Sequence, residues 1–174
     1  MALTPITTSF WGMEYSVHAC PPAMAREVQS VFPDVDLSGM LIVPTCQQAD
    51  YDLVRTGEKV ELEKDRLLER FMEWSRCVCG KLQHQGYWCD YIDPCSGLPM
   101  IQQGTNNVYP EVEGLSILLG FKTQNAGCCK IVLHPRWGSA VYPATLFAKA
   151  PLQPLLEAIR EAEAQLQRTG LSQP

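Results

Sequence analysis

Two adjacent cysteines, Cys128 and Cys129, follow Gly127 and precede "KIVLH", a run that reads as a β-strand. A thiolate is both a nucleophile and a ligand for soft metal ions. Neighbouring cysteines rarely bridge each other, because the ring they would close is small and strained. In an extended strand the two side chains face opposite sides. On that geometry Cys129 packs inward as a small apolar residue and Cys128 is exposed. Lys130 then shares the face of Cys128, and a nearby cation favours the thiolate. From residue type alone, burial of both as structural cysteines is the competing reading.

The other chemistry-bearing residues fall into weaker patterns. Cys77 and Cys79 form a C-x-C, but on a helix they point about 200° apart. Cys89 and Cys95 lack a structural zinc spacing, and His18, His84 and His134 are widely spread. Asp90 and Asp93 read as a surface carboxylate and a turn residue, since Asp93-Pro94 initiates turns. A thiol–imidazole pair between Cys128 or Cys129 and His134 would have to span about 20 Å of strand. The chain holds no G-x-G-x-x-G, no Walker loop and no G-x-S-x-G. Pattern alone yields no enzyme.

The elements that must position these residues are legible in part. "MEYSVHA" alternates as a strand. "PPAMAREVQSVF" reads as a helix carrying Met24, Val28, Val31 and Phe32, stopped by Pro33. "GMLIVPTCQ" is strand-like, and "EKVELE" reads as a short strand after a loop. Residues 63 to 86 form the clearest helix, with Leu67, Phe71, Trp74, Val78 and Leu82 on one stripe and Gly86 as its stop. "YWCDYID" reads as a strand, "PCSG" as a turn, "LPMIQQG" as a further strand and "TNNVYPEVEG" as loop. "LSILLGF" is a short apolar piece. "CCKIVLH" and "SAVYPATLFA" flank "PRWG" and so predict a hairpin, with Pro143 marking an edge strand or bulge. "PLQPLLEAIREAEAQLQR" predicts a final amphipathic helix. Few helices among many strands, with a hairpin, indicate an α+β fold with a largely antiparallel sheet.

Composition narrows the class. The chain has 174 residues, 46% of them hydrophobic and 19% charged, with a net charge of −5. That is ordinary globular chemistry at single-domain size, and a core this large needs no metal or disulfide. Scattered Lys and Arg give no nucleic-acid footprint. No apolar run is long enough for a membrane span or a secretory core, and the first twenty residues lack Arg and Lys. The expectation is a reducing compartment with all eight cysteines free.

"QGYWCDYIDPCSGLP", "TNN", "LGF" and "GCCKIVLHPRWG", in that order, resemble the C-terminal domain of the D-type cobalamin-trafficking proteins, the methylmalonic aciduria and homocystinuria type D family. "CPPAMAREVQSVFPDVD" and "EKVELEKDRLLERF" continue the likeness upstream. It covers roughly residues 9–150, within one domain spanning 1–174; residues 151–174 form a longer C-terminal helix and tail than that family predicts.

The resemblance implies a scaffold similar to the flavin nitroreductases. It implies a non-enzymatic adaptor that docks on the C-type cobalamin-processing chaperone. The cofactor then moves toward methionine synthase or methylmalonyl-CoA mutase, without nucleic-acid or membrane partners. It also implies that Cys128 donates its sulfur to the cobalt of cobalamin, shared with the partner and not held tightly alone. The family's mitochondrial targeting extension has no counterpart here, so a cytoplasmic location is expected. The alternative is a thiol- or flavin-dependent oxidoreductase on the same scaffold. It would need phosphate donors, and near the predicted hairpin only Lys122, Lys130 and Arg136 offer them.

Overall fold

The computed structural model describes residues 1–170. Three short N-terminal strands come first: β1 (Thr7–Thr8), β2 (Glu14–Tyr15) and β3 (His18–Ala19). A 3-10 turn at Pro22–Met24 leads into α1 (Ala25–Val31), followed by β4 (Leu41–Gln48), α2 (Glu58–His84) and β5 (Trp88–Tyr91). Then come α3 (Glu111–Leu119), β6 (Lys122–Ala126), β7 (Cys129–Leu133), β8 (Val141–Lys149) and α4 (Leu152–Thr169). The main sheet runs β1-β2-β4-β8-β5, with β3 also on β4, and β6 and β7 form a separate hairpin. Every ladder is antiparallel. The α+β class with a mostly antiparallel sheet is therefore what the chain adopts.

The period of two in the central strands sorts the core into layers. Leu41 and Val43 of β4, with Ala144, Leu146 and Ala148 of β8, pack under α2 and α4 around Phe71 and Trp74. Ile42 and Phe147 point to the opposite face and meet Val28, Val31 and Phe32. Farther along that second face, Cys46 and Val141 meet Leu115 of α3. The stripe of α4, Leu155, Ile159, Ala162 and Leu166, is buried in the same core as Trp74. The C-terminal helix thus covers the sheet beside α2.

Two prolines in central strands have local explanations. Residues 14 to 19 keep one register against β4, from Tyr15↔Thr45 to His18↔Ile42, but the ladder breaks between those pairs, opposite Pro44. Proline has no N–H to close it. Pro143 lies in β8, which is central and not an edge strand. However, β5 pairs only with Leu146–Lys149, so Pro143 falls where β8 has a neighbour on one side alone.

Several expectations are corrected. "EKVELE" belongs to α2, where Val60 and Glu63 are buried and Leu62 is exposed. "LSILL" lies within α3, which Pro110 precedes and Gly120, in the left-handed region at φ 70, ends. "LPMIQQG" makes only an isolated bridge, Ile92↔Pro99. The hairpin partner of β7 is β6, not β8. Not all cysteines are free: Cys79 on α2 and Cys89 on β5 form a disulfide, their Cα atoms 5.4 Å apart. Gly86 turns the chain back along the helix and brings the two together.

Candidate functional site

The hairpin of β6 and β7 turns on two residues, Gly127 and Cys128, between the paired Ala126 and Cys129. Gly127 has φ 64, while among the described residues no non-glycine residue has positive φ. Glycine first and an ordinary residue second is the pattern of a type II′ turn, whose twist matches a two-residue hairpin. Cys128 therefore sits at the turn and not in the strand, so strand alternation does not set the two cysteines on opposite faces. Cys129 is exposed like Cys128, which overturns its expected burial. The two sulfurs lie 3.6 Å apart. The Cys129 thiol is pushed above its ordinary value by its hydrogen bond to Cys128 and by charge on that neighbour. Lys130, expected beside Cys128, reaches Glu113 of α3 at 4.0 Å.

The base of the hairpin is anchored while its tip stands in solvent. Phe121 and Val132 are buried with Leu115, Val141 and Cys46. Gln124, Asn125 and residues 127–130 are exposed. Beyond β7 a tight loop closes between His134 and Gly138, each N–H donating to the other's carbonyl at 2.9 Å. The His134 ring stacks on Trp137 with centroids 3.8 Å apart. His134 Nδ1 accepts the backbone N–H groups of Arg136 and Trp137 at 3.1 and 3.2 Å. That leaves Nε2 as the protonated nitrogen, donating to Glu14 Oε1 at 2.7 Å. Arg136 donates to the other oxygen of Glu14. Both ring nitrogens are thus engaged: Nδ1 holds the loop after β7, and Nε2 ties that loop to Glu14 of β2. His134 also stands five residues beyond Cys129, about 17 Å of strand away, so no thiol–imidazole pair forms.

The sequence segments around β5 behave as architecture, with one correction. Asp90 is not a surface carboxylate. It is fully buried and accepts the backbone N–H groups of Tyr91, Ile101 and Gln102 at 2.8, 2.9 and 2.7 Å. Burial pushes its carboxyl up, against the pull of those bonds. Asp93 does shape the turn: it accepts the N–H of Cys95 at 2.9 Å and the hydroxyl of Ser96 at 3.1 Å. Gly97 has φ 74, and a Cβ there would strike Val108. Tyr91 is buried, and half-buried Trp88 meets Phe32 edge-on at 5.1 Å. Thr105 and Asn107 tie "TNN" to the carbonyl of Ser30 at 3.2 Å each.

Sequence reasoning missed three polar features: the Glu14–His134–Arg136 clamp, buried Asp90, and Glu111. Glu111 accepts the hydroxyl of Thr145 beside a cleft of about 280 Å³ bordered by Cys95, Tyr109 and Tyr142, and burial pushes its carboxyl up to about 7. A signal for the hairpin was present, since a glycine-first pair between two short runs marks a II′ turn. No comparable signal marked Glu111. Among the described residues no cluster of three or more His, Cys, Asp or Glu could hold a metal ion, and no helix is long and apolar enough to cross a membrane.

Comparison with known proteins places these features in a family. The family model of the methylmalonic aciduria and homocystinuria type D protein matches residues 7–159. The chain is 36% identical over 138 residues to the cobalamin trafficking protein CblD of Rattus norvegicus, covering 79% of this chain and 47% of that protein. Against the protein of that name from Homo sapiens it is 34% identical over 138 residues, with the same coverage of 79% and 47%. Against that from Gallus gallus it is 32% identical over 145 residues, covering 83% of this chain and 49% of the relative. The chain spans about half the length of the curated relatives it matches. On the match of the family model and of these relatives, the chain belongs to the methylmalonic aciduria and homocystinuria type D protein family.

Proposed function

We propose that the chain is a non-enzymatic adaptor in cobalamin trafficking. It docks on a C-type cobalamin-processing chaperone and offers the Cys128 thiolate to cobalt as the cofactor passes toward methionine synthase or methylmalonyl-CoA mutase. The relatives' name, cobalamin trafficking protein, supports the pathway. The observation that carries the mechanism is the exposure of Cys128 at the apex of an anchored hairpin. A donor to a metal held by another protein must protrude from a firmly based element. Here the base is fixed by Phe121, Val132 and the Glu14 clamp. Thiolate sulfur is soft and suits a transition metal with an open axial position. The test mixes the purified protein with cobalamin alone, and then with cobalamin loaded on the processing chaperone. A sulfur-to-cobalt charge-transfer absorption should arise only in the second mixture, from protein that carries no flavin. A stoichiometric flavin, or no spectral change with the loaded chaperone, would contradict the proposal.

A further inference from the structure

Cys128 and Cys129 place their sulfur atoms 3.6 Å apart, and both residues are exposed. Two sulfurs bonded to one centre at about 2.3 Å, with an angle of about 95–110°, stand about 3.4–3.8 Å apart. A linear two-sulfur centre would need about 4.6 Å on the same bond length. A disulfide would need closure to about 2.05 Å. The pair is therefore already spaced as the two teeth of a bent chelate. Nothing further is offered by the chain, since among the described residues no third His, Cys, Asp or Glu completes a ligand cluster. Tetrahedral ions want more protein ligands than this. A trivalent arsenic carrying one organic group needs two sulfurs and no more.

We infer that Cys128 and Cys129 together form a bidentate dithiol site for trivalent organoarsenicals. With an arsenic oxide R–As=O, two As–S bonds form and the arsenic–oxygen bond is lost. Both thiol protons leave with the oxygen as water, and no atom is oxidised or reduced. The exposed tip admits the organic group without displacing core. Loading the pair would also remove Cys128 as a donor, a consequence that rests on the cobalt role proposed above. The chelate itself rests on the sulfur spacing alone.

The probe is phenylarsine oxide, read by intact mass in a buffer holding excess glutathione, with neither cobalamin nor chaperone present. Single thiols exchange with the glutathione, so only a chelated group is retained. Wild type should keep one phenylarsenic group per chain and release it to a small dithiol such as 2,3-dimercaptopropanol. Cys128→Ser and Cys129→Ser should each lose the adduct, and Cys95→Ser, which removes another exposed thiol, should keep it. No retained group in wild type, or retention in either Cys128→Ser or Cys129→Ser, would overturn the inference. Because cobalamin is absent, failure here leaves the adaptor reading standing.

Discussion

Asp90→Ala should destabilise the fold by about 2–4 kcal/mol. The outward N–H of Tyr91 and those of Ile101 and Gln102 all end on this carboxylate, at 2.7–2.9 Å. Asp90 thus occupies the free edge of β5, and Met100 completes the cover by donating to the Tyr91 carbonyl at 2.9 Å. A hydrogen bond to a charged group contributes about 1.5–3 kcal/mol. The three do not add in full, because Ile101 and Gln102 lie near solvent and regain water, whereas Tyr91 is buried. The cost of burying the carboxylate, visible in its upward shift, offsets part of the gain. Asp90→Asn keeps one acceptor oxygen but turns an N–H₂ toward the same donors, so it should fall between wild type and alanine. Urea unfolding reads the loss as a lower midpoint at unchanged slope. Amide exchange at Ile101 and Gln102 should quicken in the alanine variant. A change below about 0.5 kcal/mol, with exchange at those amides unaltered, would refute the assignment of Asp90 as the edge anchor.

Cys128→Ser and Cys129→Ser should each leave stability within about 0.5 kcal/mol of wild type, since both side chains are exposed; thermal unfolding checks this, and a large loss for Cys129→Ser would restore its packing role. Glu111 and Glu163 are both pushed up to about 7, chiefly by burial, from an ordinary 4.5. The folded state therefore holds more protons than the unfolded state between those values. Their contribution to stability is fully present below pH 4.5 and lost as pH rises through about 7. Glu111→Gln should flatten that part of the unfolding free-energy profile, and an unchanged slope would count against it. Thiol titration of denatured protein without reductant should find six reactive cysteines, and eight after reduction, given the Cys79–Cys89 bridge; eight before reduction would show the pair open.

The layers of the fold were readable because their signals are periodic. The stripes of α2 and α4 and the apolar run of β4 all became core. Where local patterns compete, the reading failed. Lys59 to Glu63 alternate like a strand, yet they begin a 27-residue helix whose interior takes Val60 and Glu63. Helix α3 carries a central Gly114 and buries little besides Leu115, so its periodicity is faint, although Pro110 and Gly120 bracket it. The strand-like runs flanking "PRWG" point to a hairpin there, whereas β6, polar but for Ala126, carries no apolar strand pattern. Pairing followed the Gly127 turn instead. That single shift moved Cys128 out of the strand and exposed Cys129. Asp90 and Glu111 gave no local sign of burial, since Asp90 reaches Ile101 and Gln102, 11 and 12 residues away, and Glu111 reaches Thr145, 34 residues away.

The most direct test of the cobalt role compares wild type, Cys128→Ser and Cys129→Ser against a processing chaperone loaded with cobalamin. The reading is the sulfur-to-cobalt charge-transfer absorption. Wild type and Cys129→Ser should develop it, and Cys128→Ser should not, while all three should bind the chaperone alike. Absorption that follows Cys129, or that persists in Cys128→Ser, would contradict the assignment of the turn cysteine as the donor.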